Sequence, residues 1–313
     1  MEMAFAAVSL VLGFIFLIKG ADFFVGGSSA IARRFSVPPL VIGMTIVAMG
    51  TSLPELSVSV VASLNNSNSL AVSNVVGSNL FNLMVVLGAS ALFSRVNVSN
   101  EVLKRDYPFS VICMILLLIL GVVGGQLSQG DGILFLVVFA VFLAMMVRAA
   151  VAENRSGGEE ESVEDMPVIL SILFVVGGCV AIKLGGDWVV DGAVKIAQFF
   201  GVSETLIGLT IVACGTSLPE LVTSLVAAKK GEQDMAIGNV IGSNIFNVLL
   251  ILGTASAISP IDFVQENLID IGVLLVFSLI VWLFCVTRKG IDRAEGVAML
   301  AAYAGYLVYA CIR

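Results

Sequence analysis

The segment Gly50–Glu55 reads G-T-S-L-P-E, and the segment Gly215–Glu220 repeats it letter for letter. A second matching pair, G-S-N-x-F-N, follows at Gly77–Asn82 and at Gly242–Asn247. Each copy lies in an apolar stretch long enough to cross a membrane, where a carboxylate, a proline and small polar groups are costly to place. The repetition therefore predicts a binding site that is built by two similar halves of the chain.

The composition is typical of a membrane protein. The 313 residues are 58% hydrophobic and 12% charged, and the mean hydropathy is +1.06, far outside the range of soluble domains. Apolar stretches of about 18 or more residues predict transmembrane helices. Ten such stretches occur, at 3–32, 39–64, 70–93, 107–124, 131–149, 167–198, 204–228, 235–257, 267–286 and 292–311. The sequence thus predicts an all-α, polytopic membrane protein with ten transmembrane helices.

The two halves of the chain are homologous. The motif copies are 165 residues apart, and this offset holds without a gap from about Gly13 to Ser94. Between 37–94 and 202–259, 28 of 58 positions are identical. Five spans per half is an odd number, so the second half enters the membrane inverted, and inverted repeats place a shared site near the midplane. The predicted organisation is a first five-helix repeat at 1–149, an acidic cytoplasmic linker at 150–166 and a second, inverted five-helix repeat at 167–313.

The distribution of basic residues predicts the orientation. Twelve Lys and Arg residues fall in loops after odd-numbered helices, whereas the opposite side has only Lys195 and Arg313. By the positive-inside rule the odd loops are cytoplasmic and both termini face outward. The net charge of −7 says little about partners, because many acidic residues crowd into the linker. We expect a multi-pass protein of the cell membrane (inner or plasma), with the lipid bilayer and transported ions as partners and no nucleic acid.

Several kinds of chemistry are disfavoured. Histidine is absent, which removes imidazole metal ligands and any Ser-His or Cys-His nucleophile. The five cysteines show no C-x-x-C spacing and are expected to pack as small apolar residues. We therefore expect no enzyme activity and no cofactor.

The prolines of the first motif predict broken helices. Pro54 offers no N–H to the carbonyl of Gly50, and its ring crowds that turn. Pro219 and Gly215 repeat the relation in the second half. In lipid, irregular backbone survives only against protein or a wet cavity, and a free carbonyl beside a carboxylate is a ligand for a hard cation.

The polar side chains of both motifs fall on shared helix faces. Thr51 and Glu55 are four residues apart, with Ser52 beside them, and a second stripe follows on the next helix. That stripe is Asn74, Ser78 and Asn82, and the second half repeats both sets as Thr216, Ser217, Glu220, Asn239, Ser243 and Asn247. Four helices then offer only oxygen ligands, which suit Ca²⁺, Mg²⁺, Mn²⁺ or Na⁺.

The two glutamates carry the strongest indication of function. An ionisable group in the middle of a membrane helix costs about 2.5–3.5 kcal/mol on insertion scales, and no Lys or Arg lies at a matching depth to pair with both Glu55 and Glu220. Other polar groups more often bond neighbouring helices. We assign that packing role to Thr45, Thr210, Ser59, Ser224, Asn74 and Asn239.

These motifs resemble the two α-repeats of the Ca²⁺:cation antiporter superfamily, most closely its short prokaryotic sodium/calcium exchangers. The resemblance extends over essentially the whole chain. It implies that Glu55 and Glu220 bind Ca²⁺ and, in alternation, Na⁺. It further implies ligand oxygens from Thr51, Thr216, Ser52, Ser217, Ser78, Ser243, Asn82 and Asn247, and outer carbonyl ligands from Ala48 and Ala213.

Some relatives carry an aspartate where this chain has Asn82 or Asn247, so the formal charge of the pocket is at most −2 here. The implied function is alternating-access exchange of Ca²⁺ for Na⁺, for which a monomer is sufficient. A Ca²⁺/H⁺ or other divalent cation exchanger would use the same site, because desolvated glutamates can titrate near neutral pH. A cation channel is an alternative of another class, although channels place such rings in symmetric oligomers. The physiological divalent ion, the stoichiometry, the oligomeric state and the role of the linker stay open.

Overall fold

The computed structural model describes residues 2–64, 69–155, 166–202, 207, 211 and 213–312. The helices of the first half are α1 (Glu2–Arg34), α2 (Pro39–Ile42), α3 (Ala48–Thr51), α4 (Leu53–Leu64), α5 (Ser69–Phe81), α6 (Leu87–Phe93), α7 (Tyr107–Gly124) and α8 (Gln129–Arg155). Those of the second half are α9 (Val168–Phe199), α10 (Ala213–Gly215), α11 (Leu218–Lys229), α12 (Gln233–Phe246), α13 (Gly253–Ile258), α14 (Gln265–Arg288) and α15 (Arg293–Ile312). Single π-helical turns occur at Gly43–Val47, Asn82–Val86, Val102–Asp106 and Asn247–Leu252.

The helices match the predicted class of an all-α membrane protein. Within the described residues, eight helices are long and apolar enough to span a membrane, and the pair Pro39–Thr51 and Leu53–Leu64 forms one more span with a 49° bend. The predicted seventh span, 204–228, is described only in part, so the count of ten stays a prediction. The first repeat's last helix, α8, runs on to Arg155, and the rest of the predicted linker up to Asp165 lies outside the described residues.

Two spans form the centre of the bundle. In the spans Ala71–Phe93 and Gln233–Ile258, 78% and 94% of the most apolar stretch is buried, against 17–33% in the other straight spans. These two spans carry the repeated G-S-N-x-F-N motif, and each passes through a π-helical turn that begins at its last asparagine, Asn82 or Asn247. The polar motif therefore lies in the two most deeply buried straight spans of the described part of the chain.

Helices α1 and α9 form a tightly packed pair. Glycines recur every seven residues along the contact, at Gly13, Gly20 and Gly27 on α1 and at Gly178, Gly185 and Gly192 on α9. A Cβ on Gly178 would lie 2.7 Å from the carbonyl oxygen of Gly20, and one on Gly185 would lie 2.7 Å from that of Gly13. Because backbone faces backbone, only glycine allows this approach.

Short strands join the two repeats at their ends. Strand β1 (Val96–Asn97) pairs with β4 (Gly290–Ile291), and β2 (Gln126–Leu127) pairs with β3 (Ile261–Asp262), both antiparallel. The 165-residue offset relates Val96 of β1 to Ile261 of β3. Each strand thus pairs with a strand of the other repeat, as expected of two repeats related by a two-fold axis.

The two repeats differ in how α1 and α9 meet the broken helices. On α1, Val25 and Ala32 share one apolar cluster with Ala227 of α11, whereas α9 makes few contacts with α4, the counterpart of α11. Thr223 of α11 is fully buried, while its repeat counterpart, Val58 of α4, is 44% exposed. The bundle is therefore closed between α1 and α11 and open between α9 and α4.

Two ion pairs lie at the closed contact. Lys230 lies 2.7 Å from the Asp22 carboxylate, and Arg33 lies 3.7 Å from Glu232. The repeat counterparts of Lys230 and Glu232 are the uncharged residues Asn65 and Ser67. Because these counterparts carry no charge, the same two ion pairs cannot form at the open contact between α9 and α4.

Candidate functional site

Both predicted helix breaks occur. Helix α3 ends before Ser52, whose φ and ψ of −86° and 8° leave the helical range, and α4 continues at 49° to it with Pro54 as its second residue. In the second half Ser217, at φ −93° and ψ 5°, separates α10 from α11, and Pro219 is the second residue of α11. Proline tolerates the first turn of a helix and prevents a continuous one, so each break follows from the sequence.

The predicted free carbonyl has a partner on another helix. The thiol of Cys179 on α9 lies 3.5 Å from the carbonyl oxygen of Gly50, the group that Pro54 cannot bond. The break is thus satisfied by protein, as irregular backbone within lipid requires.

The two glutamates are fully buried and held by the opposite repeat. Ser52 donates a hydrogen bond to Glu220 Oε1 at 3.0 Å, and Ser217 donates to Glu55 Oε1 at 3.3 Å. Glu55 and Glu220 both have 0% exposure. Because Ser52 and Glu55 lie in one turn, as do Ser217 and Glu220, these reciprocal bonds bring the two carboxyl groups together.

A set of buried oxygen atoms at this site has no hydrogen-bond partner in the described part of the chain. Seven of the twelve predicted site residues contribute one: Glu55 Oε2, Glu220 Oε2, Ser78 Oγ, Ser243 Oγ, Asn82 Oδ1, Asn247 Oδ1 and Thr216 Oγ1. A buried polar atom without a partner is destabilising, and natural proteins retain few of them. The set contains no nitrogen or sulfur, so its shared chemistry is that of a ligand shell for a hard cation.

Two asparagines outside the predicted set orient the site amides. Asn82 Nδ2 donates to Asn244 Oδ1 at 3.3 Å, and Asn247 Nδ2 donates to Asn79 Oδ1 at 2.9 Å. Asn79 Nδ2 donates in turn to the carbonyl oxygen of Asn244 at 3.2 Å. Sequence reasoning passed over Asn79 and Asn244, although the repeated third letter of G-S-N-x-F-N is a signal that could have identified them.

Four of the six residues assigned to packing bond across helices, and Thr210 lies outside the described residues. Asn74 Nδ2 donates to Ser59 Oγ at 3.1 Å and to the carbonyl oxygen of Glu55 at 3.4 Å. In the second half Asn239 bonds Ser224 at 2.9 Å and the Glu220 carbonyl at 3.4 Å. These amides support the turns that carry the glutamates. Thr45, by contrast, bonds only within its own helix among the described contacts, to Val41 at 2.6 Å.

Two other predicted ligands, Thr51 and the Ala48 carbonyl, already have hydrogen-bond partners within the protein. Thr51 donates its single hydroxyl proton among three acceptors, the Val47 and Ala48 carbonyls and Asn239 Oδ1, at 3.1–3.3 Å. The Ala48 carbonyl also accepts the backbone N–H of Ser52 at 3.0 Å. Ala213 begins α10. Over the described ranges no three His, Cys, Asp or Glu side chains converge, so any cation here relies on amides and hydroxyls beside two carboxylates.

Paired polar breaks inside a bundle of apolar spans define a class, the multi-pass ion transporters built from repeats. A sequence profile of the family described as "Sodium/calcium exchanger protein" matches residues 5–148 and 170–312. The chain belongs to this family of membrane transporters, which is not an enzyme class.

Individual relatives match this chain over nearly its full length. The chain is 33% identical over 337 residues to sodium/calcium exchanger MaX1 of Methanosarcina acetivorans, covering 96% of both chains. It is 39% identical over 314 residues to a putative antiporter, CaxA of Alkalimonas amylolytica, covering 97% of this chain and 98% of that one. A structure of the sodium-calcium exchanger NCX_Mj superposes with a TM-score of 0.86 at 34% identity, covering 99% of this chain and 100% of that one.

Proposed function

We propose that this chain is a secondary active antiporter that exchanges Ca²⁺ for Na⁺ across the cell membrane, by alternating access at a midplane site shared by Glu55 and Glu220. The observation that carries the proposal is the set of seven buried oxygens, contributed by both repeats, that have no hydrogen-bond partner among the described residues. Membership of the sodium/calcium exchanger family supports the choice of ions.

The proposed ligands are the twelve residues derived from the sequence. They are Glu55, Glu220, Thr51, Thr216, Ser52, Ser217, Ser78, Ser243, Asn82, Asn247, Ala48 and Ala213. The carboxylates supply the charge and the hydroxyl, amide and carbonyl oxygens supply the remaining coordination. The transported ions are the substrates, and no resident cofactor is required.

The charge of the site accounts for antiport. Two buried carboxylates carry −2 when ionised, so one Ca²⁺ or two Na⁺ neutralise the pocket, and a third Na⁺ makes it positive. Like charges that are buried and uncompensated are strongly unfavourable, so the empty site resists movement through the membrane. Since Ca²⁺ and Na⁺ compete for the same oxygens, one load moves at a time.

The proposed orientation follows the basic loops. Both termini face outward, and the contact between α1 and α11, which carries Lys230 and Arg33, lies on the cytoplasmic side. The open contact between α9 and α4 then faces outward. One chain contains both repeats, so a monomer is sufficient for transport.

The test is ⁴⁵Ca²⁺ uptake into proteoliposomes loaded with Na⁺ and diluted into Na⁺-free buffer, beside K⁺-loaded vesicles and vesicles with an imposed pH gradient. We expect uptake that requires internal Na⁺ and is abolished by Glu55→Gln. Glu266→Gln, the same chemical change at an exposed position, is the matched control and should leave uptake intact.

Other outcomes assign other functions. Uptake driven by the pH gradient alone would identify a Ca²⁺/H⁺ exchanger with the same site. A Ca²⁺ current far above the turnover of transporters would identify a channel. Absence of Ca²⁺ uptake under every gradient would overturn the proposed substrate and direct the assay to Mn²⁺ and Mg²⁺.

A further inference from the structure

The amide groups at the site present a problem of orientation. An asparagine side chain ends in one acceptor oxygen and one donor NH₂ of nearly equal size. A cation attracts the oxygen and repels the NH₂, so Asn82 and Asn247 serve as ligands only if their amides are held one way round. A carboxylate at either position would need no such control, because both of its oxygens accept.

One backbone carbonyl fixes the orientation of a chain of amides. The Asn244 carbonyl can only accept, so Asn79 must turn its Nδ2 toward it, at 3.2 Å. This turns Asn79 Oδ1 toward Asn247, which must then present its own Nδ2, at 2.9 Å. The Asn247 oxygen is left facing away from Asn79, buried and without a partner among the described residues.

The repeat-related bond has the same sense. Asn244 Oδ1 accepts from Asn82 Nδ2 at 3.3 Å, and Asn82 Oδ1 is again buried with no described partner. Asn79 is 0% exposed and Asn244 3% exposed, so water does not compete for these bonds. Each orienting asparagine acts on the ligand amide of the other repeat, across the pseudo-two-fold axis.

We infer that Asn79 and Asn244 are positioning residues, which hold the amides of Asn247 and Asn82 so that their oxygens, and not their NH₂ groups, face a bound hard cation. The inference rests on the proposed cation site and adds to it a pair of residues that do not touch the ion. Partners that orient a ligand in this way typically change ion affinity by about 10–100-fold when they are removed.

The test is a double-mutant cycle that uses a ligand with no orientation to lose. Asn79→Leu removes the orienting oxygen, and Asn247→Asp replaces the ligand amide with a carboxylate. Half-saturating Ca²⁺ is measured for Na⁺-dependent uptake and by Ca²⁺ titration of the purified protein. In the wild-type background, where Asn247 supplies the ligand amide, we expect Asn79→Leu to raise half-saturating Ca²⁺ about tenfold or more.

In the Asn247→Asp background, Asn79→Leu should raise half-saturating Ca²⁺ by less than about threefold, or lower it. In that background Asn79 Oδ1 faces a carboxylate oxygen, so its removal takes away a repulsion between two acceptors. The repeat-related cycle, Asn244→Leu with Asn82→Asp, should behave alike and keeps the test decisive if one variant does not fold. Asn267→Leu is the control. Asn267 is a buried asparagine that bonds Ser73 at 3.1 Å, away from the site amides, and the Asn247→Asp change should not compensate for its loss.

Equal losses from Asn79→Leu in both backgrounds would overturn the inference, since a purely structural role is insensitive to the ligand at position 247. So would unchanged Ca²⁺ affinity in Asn79→Leu. The comparison of variants applies once the wild-type protein is shown to transport Ca²⁺. A wild-type protein without Ca²⁺ binding or uptake would instead overturn the proposed function.

Discussion

Each glutamate of the candidate site is held by a serine of the opposite repeat. The hydroxyl groups of Ser52 and Ser217 donate to one oxygen of Glu220 and Glu55, respectively, and leave the second oxygen of each carboxylate without a described partner. A hydrogen bond to a charged group contributes about 1.5–3 kcal/mol. The serines therefore fix the carboxylates while keeping one oxygen of each available to an ion.

Ser217→Ala removes this support from Glu55. We expect half-saturating Ca²⁺ for uptake to rise about tenfold, because a carboxylate that has lost a donor of this strength must be ordered by the ion itself. Ser256→Ala is the matched control, since that fully buried serine bonds carbonyls of its own helical segment, at Leu252 and Gly253. Equal effects of the two substitutions on Ca²⁺ dependence would contradict the role of Ser217.

At the scale of single residues the sequence indicated which polar side chains lie inside the bundle and said less about how they bond. The cost of a carboxylate in lipid identified Glu55 and Glu220, and the structure buries both completely. The bonds between Asn247 and Asn79 could not be predicted, because the pairing of side chains across repeats depends on the helix packing and not on spacing within one helix. The sequence also did not predict that the Ala48 carbonyl accepts two hydrogen bonds, from the Ser52 N–H and the Thr51 hydroxyl.

At the scale of helices, α1 and α9 pack against each other through glycines. These glycines allow the two backbones to touch, and a side chain at most of these positions would meet backbone atoms that cannot move aside. The neighbouring glycines Gly177 and Gly178 offer a direct comparison, because a Cβ at Gly177 would meet no atom of the described residues within 4 Å.

Gly178→Ala should destabilise the protein by about 1–3 kcal/mol, since its Cβ would lie 2.7 Å from the Gly20 carbonyl oxygen. Gly177→Ala should be neutral or stabilising by up to about 1 kcal/mol, because alanine favours the helix. Thermal unfolding of the two purified variants in detergent tests this difference. A Gly178→Ala protein as stable as Gly177→Ala would contradict the close packing.

The ion pair between Asp22 and Lys230 joins α1 to the end of α11, at the closed contact. Partly exposed ion pairs contribute about 0.2–1 kcal/mol, so Lys230→Gln should favour opening of this contact by up to about fivefold. The measurement is the rate at which a maleimide labels Thr223→Cys in a cysteine-free background, because Thr223 is fully buried at the closed contact whereas its counterpart Val58 at the open contact is 44% exposed. Lys229→Gln, at the same helix end, is the control. A labelling rate unaffected by Lys230→Gln would show that the pair does not stabilise the closed arrangement.

Helix breaks were predictable from the sequence, and the asymmetry of helix contacts was not. Proline chemistry places the bends at Ser52 and Ser217 whatever the surroundings. The closed and open contacts belong to one arrangement of a chain whose two halves carry the same motifs at the same spacing. At the closed contact, Lys230 and Glu232 differ in charge from their repeat counterparts Asn65 and Ser67, and this sequence difference agrees with the unequal sides.

In the whole molecule, the two repeats are joined at both ends by short strands. Gln126 of β2 lies opposite Asp262 of β3, a pairing between repeats that the apolar pattern did not predict, because two-residue strands leave no periodic signal. The repeat offset, by contrast, was visible in the sequence and relates the strands as well as the helices.

Cysteines at Gln126 and Asp262 should form a disulfide under mild oxidation, since directly opposed residues of antiparallel strands lie within the range that a disulfide spans. Cleavage in the loop between the repeats, followed by electrophoresis, would show the two halves still linked. A protein with cysteines at Asn97 and Asp262, which lie in different halves and belong to different strand pairs, should separate. Failure of the first pair to link the halves would contradict the strand register.

The central claim is that one site, formed by both repeats, binds Ca²⁺ and Na⁺ in competition. Equilibrium binding of ⁴⁵Ca²⁺ to the purified protein, titrated with Na⁺, tests it most directly. We predict about one Ca²⁺ per chain, complete displacement by Na⁺, and loss of binding in both Glu55→Gln and Glu220→Gln, because each carboxylate supplies half of the charge. Ca²⁺ that stays bound at saturating Na⁺, or that survives either substitution undiminished, would contradict a single shared site.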